Sequence, residues 1–232
     1  MSAQDLARDP LTGADPRARA RSTGIYLVTD TAQCGPRGLV DTVRAAVAGG
    51  IRTVQVREKD ASAAEFYARV LAVAEAVGDR ALVLVDDRVD LYLAARAAGA
   101  AVHGVHVGQS DLPVAAVRQL VGPDAVVGLT ANTPEHLAAL AALPAGTVDH
   151  LGAGVIRPTA TKKDHPEPLG IDGFARFAAA APVPCVAIGG VTAADVAPLR
   201  AAGASGVAVV SAVCAAADPR QAAADLVREW NR

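Results

Sequence analysis

Aromatic side chains are scarce. Trp, Tyr and Phe make up 3% of the 232 residues, so the interior has to be assembled from Ala, Val and Leu, which let helices lie close on strands. Positive charge is not in surplus. Against 24 Asp and Glu stand 22 Lys and Arg, a formal net charge of −2 that argues against a nucleic-acid surface and leaves any anionic ligand to local charges. The three cysteines, Cys34, Cys185 and Cys214, are odd in number and far apart; they form neither a disulfide framework nor a metal-ligand spacing and read as reduced thiols in a cytoplasmic protein. No apolar run approaches the roughly 18 residues of a membrane-spanning helix. Residues 1–23 are rich in Asp, Arg and Ala without a long apolar stretch, which argues against a signal peptide or membrane anchor and reads as a flexible N-terminal extension, disordered or loosely docked.

What the chain does have is alternation. Short β-rich runs at 24–29, 53–57, 81–85, 104–107, 126–130, 150–153, 185–188 and 206–210 are separated by Ala-rich stretches of helical character at 39–48, 63–77, 89–98, 113–120, 134–143, 171–180, 193–202 and 219–230. Gly or Pro stands in or beside most of the joints. Eight β-α pairs without a dividing linker predict an α/β fold, a single (β/α)8 TIM barrel over 24–232, with a doubly wound open sheet as the rival. In a barrel the chemistry lies at the carboxyl ends of the strands, so those ends were read for function.

Gln55, Arg57 and Lys59 are spaced two apart, the first two at the end of the second run and the third at its exit. That period places the first two on one face of a strand, with Val54 and Val56 turned toward helices, so an amide, a guanidinium and an ammonium gather at the barrel mouth. The plainer alternative pairs Arg57 with Glu58 or Asp60 at the surface. Past the sixth run, Pro158-Thr159-Ala160-Thr161-Lys162-Lys163 concentrates hydroxyls and ammonium groups on a loop, donors suited to a phosphate. Asp86 and Asp87 follow the third run and Asp111 the fourth; two carboxylates brought to a diphosphate make a Mg²⁺ site, while each alone reads as a helix cap. Gly189 and Gly190 follow the seventh run and Ser211 the eighth, where barrels often hold phosphate on backbone N–H groups. His106 reads as a strand residue near the site and His103 as structural; His136, His150 and His165 show no pattern, and Arg17, Arg19 and Arg21 read as a solvated charge run.

Taken in order, these pieces resemble the thiamine-phosphate synthase family. The likeness runs through Gln55-x-Arg57-x-Lys59, Asp87-Arg-Val-Asp90, His106-x-Gly-Gln-x-Asp111, Gly152-x-Gly154, Pro158-Thr-x-Thr-Lys-Lys163 and Ile188-Gly-Gly-Val191. The resemblance implies a (β/α)8 barrel that joins hydroxymethylpyrimidine diphosphate to a thiazole phosphate, releasing pyrophosphate. It implies that Gln55, Arg57 and Lys59 grip the pyrimidine diphosphate, that Asp87 and Asp111 hold Mg²⁺ on it, and that Lys162 stabilises the departing pyrophosphate. Thr159 and Thr161 would orient the thiazole partner, and Gly189, Gly190 and Ser211 would bind its phosphate. Thr130 stands where the family has a hydroxyl residue, usually Ser, near the reacting carbon. There are departures: Asp86 replaces a common Asn, and Val155 and Arg157 replace a common Pro and aromatic residue. A carboxylate at 86 would repel diphosphate unless protonated, turned away or metal-bound, and Arg157 would either add a phosphate contact or alter the stacking surface. A thiazole tautomerase on the same barrel and a non-catalytic precursor-binding protein are the competing readings. Barrels of this size are often symmetric assemblies, so a homo-oligomer stays open.

Overall fold

Strand residues that alternate Val with smaller or polar side chains bury two unlike faces, and this decides the architecture. The computed structural model describes residues 15–159 and 167–232. Among them run eight strands: β1 (Gly24–Val28), β2 (Thr53–Val56), β3 (Leu82–Asp86), β4 (Gly104–Val107), β5 (Val126–Thr130), β6 (His150–Gly154), β7 (Cys185–Ile188) and β8 (Gly206–Val209). Each pairs in parallel with the next, and β8 returns to β1, so the sheet closes into the expected barrel rather than opening as a doubly wound sheet. Closure leaves no sheet edge to protect.

Outward-facing Val54, Val56, Val83, Val85, Val105 and Val107 join one continuous core with the helices. Those helices are α3 (Leu39–Ala48), α4 (Ala63–Val77), α5 (Val89–Ala97), α6 (Val114–Val121), α7 (Pro134–Ala141), α8 (Gly170–Ala180), α9 (Ala193–Ala201) and α11 (Pro219–Asn231). Their small Ala-rich faces allow the close approach that few aromatics make necessary. Helix α4 starts where a capping box dictates: the Ser62 hydroxyl accepts from Glu65 N–H, and the Glu65 carboxylate accepts from Ser62 N–H at 2.9 Å. A second, inner cluster of Tyr26, Val28, Leu82, Leu84, Val126, Val186 and Ala208 fills the barrel. Truncating one of these, Leu84→Ala for instance, would cost about 2–5 kcal/mol through lost burial and the cavity left behind. Two one-turn helices escaped the sequence reading, α2 (Thr31–Cys34) after β1 and α10 (Ser211–Cys214) after β8. Four residues are too few to show a helical period.

Part of the N-terminal segment is docked on the barrel. From Asp15 onward it forms α1 (Pro16–Ala20), and Ala20 belongs to the inner cluster. Arg17 is not part of a solvated run. Its Nε donates to Asp149 Oδ1 at 2.7 Å, and its terminal nitrogens donate to Pro123 O at 2.8 Å and Gly146 O at 2.7 Å. Asp149 is fully buried and is met as well by Arg118 and by Val127 N–H, at 2.8 and 2.9 Å. Pro123 and Gly146 precede β5 and β6, so α1 docks at the amino ends of the strands. No helix among the described residues is long and apolar enough to cross a membrane.

Candidate active site

At the opposite, carboxyl end of the strands lies a cavity of about 520 Å³. The β2 side supplies Gln55, Arg57 and Lys59. Strand β2 ends at Val56, one residue earlier than expected, so Arg57 sits at the strand exit and its N–H donates to Thr29 Oγ1 at 3.0 Å. Gln55 is buried, and its amide donates to the Tyr26 hydroxyl at 3.1 Å. Both cations have acidic partners. Arg57 Nε lies 3.7 Å and Lys59 Nζ 3.4 Å from Asp86 Oδ2, and Lys59 also bonds the Asp87 carboxylate. Burial alone would lower the Lys59 ammonium, but Asp86 and Asp87 outweigh it and hold the group above its ordinary value.

Asp86 ends β3 facing inward. Burial, then the adjacent Asp87 charge, push its carboxyl up to about 7, while Lys59 and Arg57 pull it down. Near neutral pH a good part of it is protonated, and the rest of its charge faces two cations. It is not turned away from the site. Asp87 has a left-handed backbone, φ 56°, uncommon outside glycine, and its N–H donates to His106 O at 2.8 Å. Asp111 Oδ2 accepts from Gly108 N–H at 2.7 Å. Burial raises its carboxyl, Gly108 opposes this, and the nearby Asp87 raises it again. The turn after β4 therefore brings Asp111 to Asp87, as the pair reading required.

On the far wall stand Thr130, Thr159, Gly189, Gly190 and Ser211. Thr161 and Lys162 lie outside the described residues. The Thr130 hydroxyl is 3.0 Å from His106 Nε2, and its carbonyl accepts from Gln109 Nε2 at 2.6 Å. Gly189 and Gly190 have φ of 97° and 66°, and there is no room for larger residues: a Cβ at 189 would lie 2.3 Å from Val155 Cγ1, and one at 190 would lie 2.7 Å from the Arg157 and Pro158 carbonyls. Ser211 opens α10 directly beyond β8. Arg157 neither lines the cavity nor offers a stacking surface there. Its guanidinium bonds the buried Asp195 carboxylate, Nε at 2.9 Å and Nη2 at 2.6 Å.

Several contributors were not foreseen. Gln109, Asn132 and His136 also line the cavity. Beneath its floor lies His150, fully buried, its ring 5.7 Å from that of His106 and 6.0 Å from that of Tyr26. Glycine makes space for the two imidazoles. A Cβ at Gly128 would stand 2.3 Å from His106 Nδ1 and 2.6 Å from His150 Nε2. Burial drives the His150 imidazolium down to about 4, against the pull of Asp149, so the ring is neutral at ordinary pH. Its place could have been read from the even spacing His150, Gly152, Gly154 along one strand face.

One end of this cavity thus offers paired cations and carboxylates, and the other a glycine turn with hydroxyls, an arrangement for two anionic groups held apart. Sequence and fold also match known proteins. The family model described as thiamine monophosphate synthase matches residues 25–213. The chain is 52% identical over 181 residues to a thiamine-phosphate synthase of Corynebacterium efficiens, covering 78% of this chain and 83% of the relative. It is 40% identical over 210 residues to one from a Psychrobacter strain, covering 90% and 96%. The solved thiamine phosphate pyrophosphorylase of Pyrococcus furiosus superposes with a TM-score of 0.77 at 29% identity, over 91% of this chain and 97% of that one. The chain belongs to the thiamine monophosphate synthase family.

Proposed function

We propose that the cavity couples 4-amino-2-methyl-5-hydroxymethylpyrimidine diphosphate with 4-methyl-5-(2-hydroxyethyl)thiazole phosphate, giving thiamine phosphate and pyrophosphate. The observation that carries this reading is the placing of Arg57, Lys59, Asp87 and Asp111 across one cavity from Gly189, Gly190 and Ser211. A tautomerase acting on a thiazole phosphate alone would have no use for the first group.

The reaction breaks the bond between the pyrimidine methylene and the diphosphate oxygen. The electron-rich aminopyrimidine stabilises the positive methylene, and the thiazole nitrogen then donates its lone pair to it. No side chain has to attack, and the residues' work is electrostatic: Arg57 and Lys59, together with Lys162, compensate the charge gathering on the leaving group. Gln55, anchored on Tyr26, presents its amide to the heterocycle, and Thr130, steadied by His106, lies where the methylene carbon reacts. Holding the thiazole phosphate on the glycine turn keeps its nitrogen in line with that carbon and saves the entropy of a bimolecular encounter.

The donor set suits Mg²⁺. Asp87 lies close enough to Asp111 to raise the cost of charging it, a repulsion that a divalent cation removes. No group of three or more metal-ligating side chains occurs among the described residues; Mg²⁺ on a diphosphate commonly uses one or two carboxylates and takes its other ligands from phosphate and water. Bound there, the ion would supply positive charge to the departing pyrophosphate. The test is to mix purified protein, Mg²⁺ and both precursors and to measure thiamine phosphate and pyrophosphate. Equal yields are expected. Hydrolysis of the pyrimidine diphosphate without coupling refutes the reading.

A further inference from the structure

We infer that Arg157 is a positioning residue that fixes the shape of the Gly189–Gly190 turn from behind; the inference rests on the reading that this turn holds the phosphate of the second substrate. Arg157 grips the turn at both ends. Its main-chain N–H donates to Gly189 O at 3.0 Å, beside the bond from Ile156 N–H to the same oxygen at 3.1 Å. Its guanidinium donates twice to Asp195 Oδ1, at 2.9 and 2.6 Å. The other oxygen of that carboxylate accepts from Thr192 N–H at 3.0 Å and from the Thr192 hydroxyl at 2.8 Å. Thr192 is the residue on which the turn ends and α9 begins. One side chain and its own backbone therefore span Gly189 to Thr192.

The packing leaves the turn little freedom once this clamp is closed. The Arg157 and Pro158 carbonyls press on Gly190, and Val155 presses on Gly189, at distances that exclude even a methyl group. Thr159, two residues on from Arg157, faces the cavity. The same clamp thus ties the glycine turn to Thr159 on the same wall of the cavity. Asp195 is buried while Arg157 is half exposed, so removing the guanidinium strands a buried carboxylate and loosens its hold on Thr192. Charge-assisted, doubly donated bonds are the strong kind, and their planar fork is what lysine lacks.

The test compares Arg157→Met, Arg157→Lys, Asp195→Asn and the Arg157→Met/Asp195→Asn double variant. Losing a charge-assisted bond of this sort is expected to raise KM for the thiazole phosphate about tenfold in Arg157→Met, with KM for the pyrimidine diphosphate and kcat within about twofold. Arg157→Lys recovers part of the loss. Asp195→Asn shows the same selective rise, and the double variant is no worse than the poorer single one, because the two residues act as a unit. An Asp195→Asn enzyme with normal KM beside a damaged Arg157→Met enzyme overturns the inference, since Arg157 would then act on the ligand directly. A turnover-free readout separates this from the functional reading: inorganic phosphate titrated against the Gly189 and Gly190 amide resonances. Unchanged phosphate affinity in Arg157→Met overturns the clamp even in an active enzyme. Normal phosphate titration of a wild-type protein that couples nothing overturns the functional reading alone.

Discussion

Acid should weaken this protein in part through one buried ring, and replacing that ring should remove that part. His150 is enclosed by Tyr26, His106 and the Gly128 backbone, and neither of its nitrogens has a hydrogen-bond partner among the described residues. In the unfolded chain it takes a proton near pH 6.5, and in the folded chain only near about 4. Above pH 6.5 both states carry a neutral ring and stability is unaffected. As pH falls from there the unfolded state binds the proton first, so stability drops continuously until the folded ring titrates as well. At about 1.4 kcal/mol per pH unit the full loss is roughly 3 kcal/mol, of which about 2 kcal/mol has gone by pH 5. Other groups titrate over the same range, so the informative quantity is the difference between wild type and His150→Phe, which keeps a ring against Tyr26 but binds no proton. Urea unfolding of both proteins at pH 7, 6 and 5 should show the variant gaining on wild type by about 2 kcal/mol across that interval. Parallel stability curves, with a gap changing by less than about 0.5 kcal/mol, would refute the claim that the ring is forced neutral by burial.

Three further outcomes are expected. Gly128→Ala places a methyl group against His106 and His150; such overpacking costs about 1–3 kcal/mol in a urea titration, and it should lower kcat by disturbing Thr130, which His106 holds. Arg57→Ala and Asp111→Ala should each cut kcat/KM for the pyrimidine diphosphate by roughly 100-fold while the urea midpoint stays put, and near-normal rates in both would end the charge-compensation account. Arg17→Ala removes one of three donors to the buried Asp149, so about 2 kcal/mol of stability should disappear with turnover unchanged.

The barrel was legible because its signals are local. Val54 and Val56 alternate with Gln55, and the turn residues stand where strands must stop, so strand positions and the inward face of β2 could be read directly. The cationic and acidic residues were legible because a polar group at the end of an apolar run has few structural reasons to be there. What stayed hidden depended on distance in sequence. Arg17 reaches Asp149 and Arg157 reaches Asp195, across 132 and 38 residues, and neither pairing leaves a trace in the residues around it. Asp86 was legible as an anomaly but not as a solution, because its tolerance arises from burial and from two cations on another strand. His150 could have been placed inward by parity, yet nothing local says that Gly128 on the neighbouring strand hollows out room for it.

Helix α1 carries a practical corollary. It docks at the amino ends of the strands, whereas the cavity lies at the carboxyl ends. A cysteine placed at exposed Asp15 for attachment to a bead or electrode would hold the cylinder by its foot and point the open mouth at the solution. Immobilised that way, the enzyme should keep the diffusional access of the dissolved form.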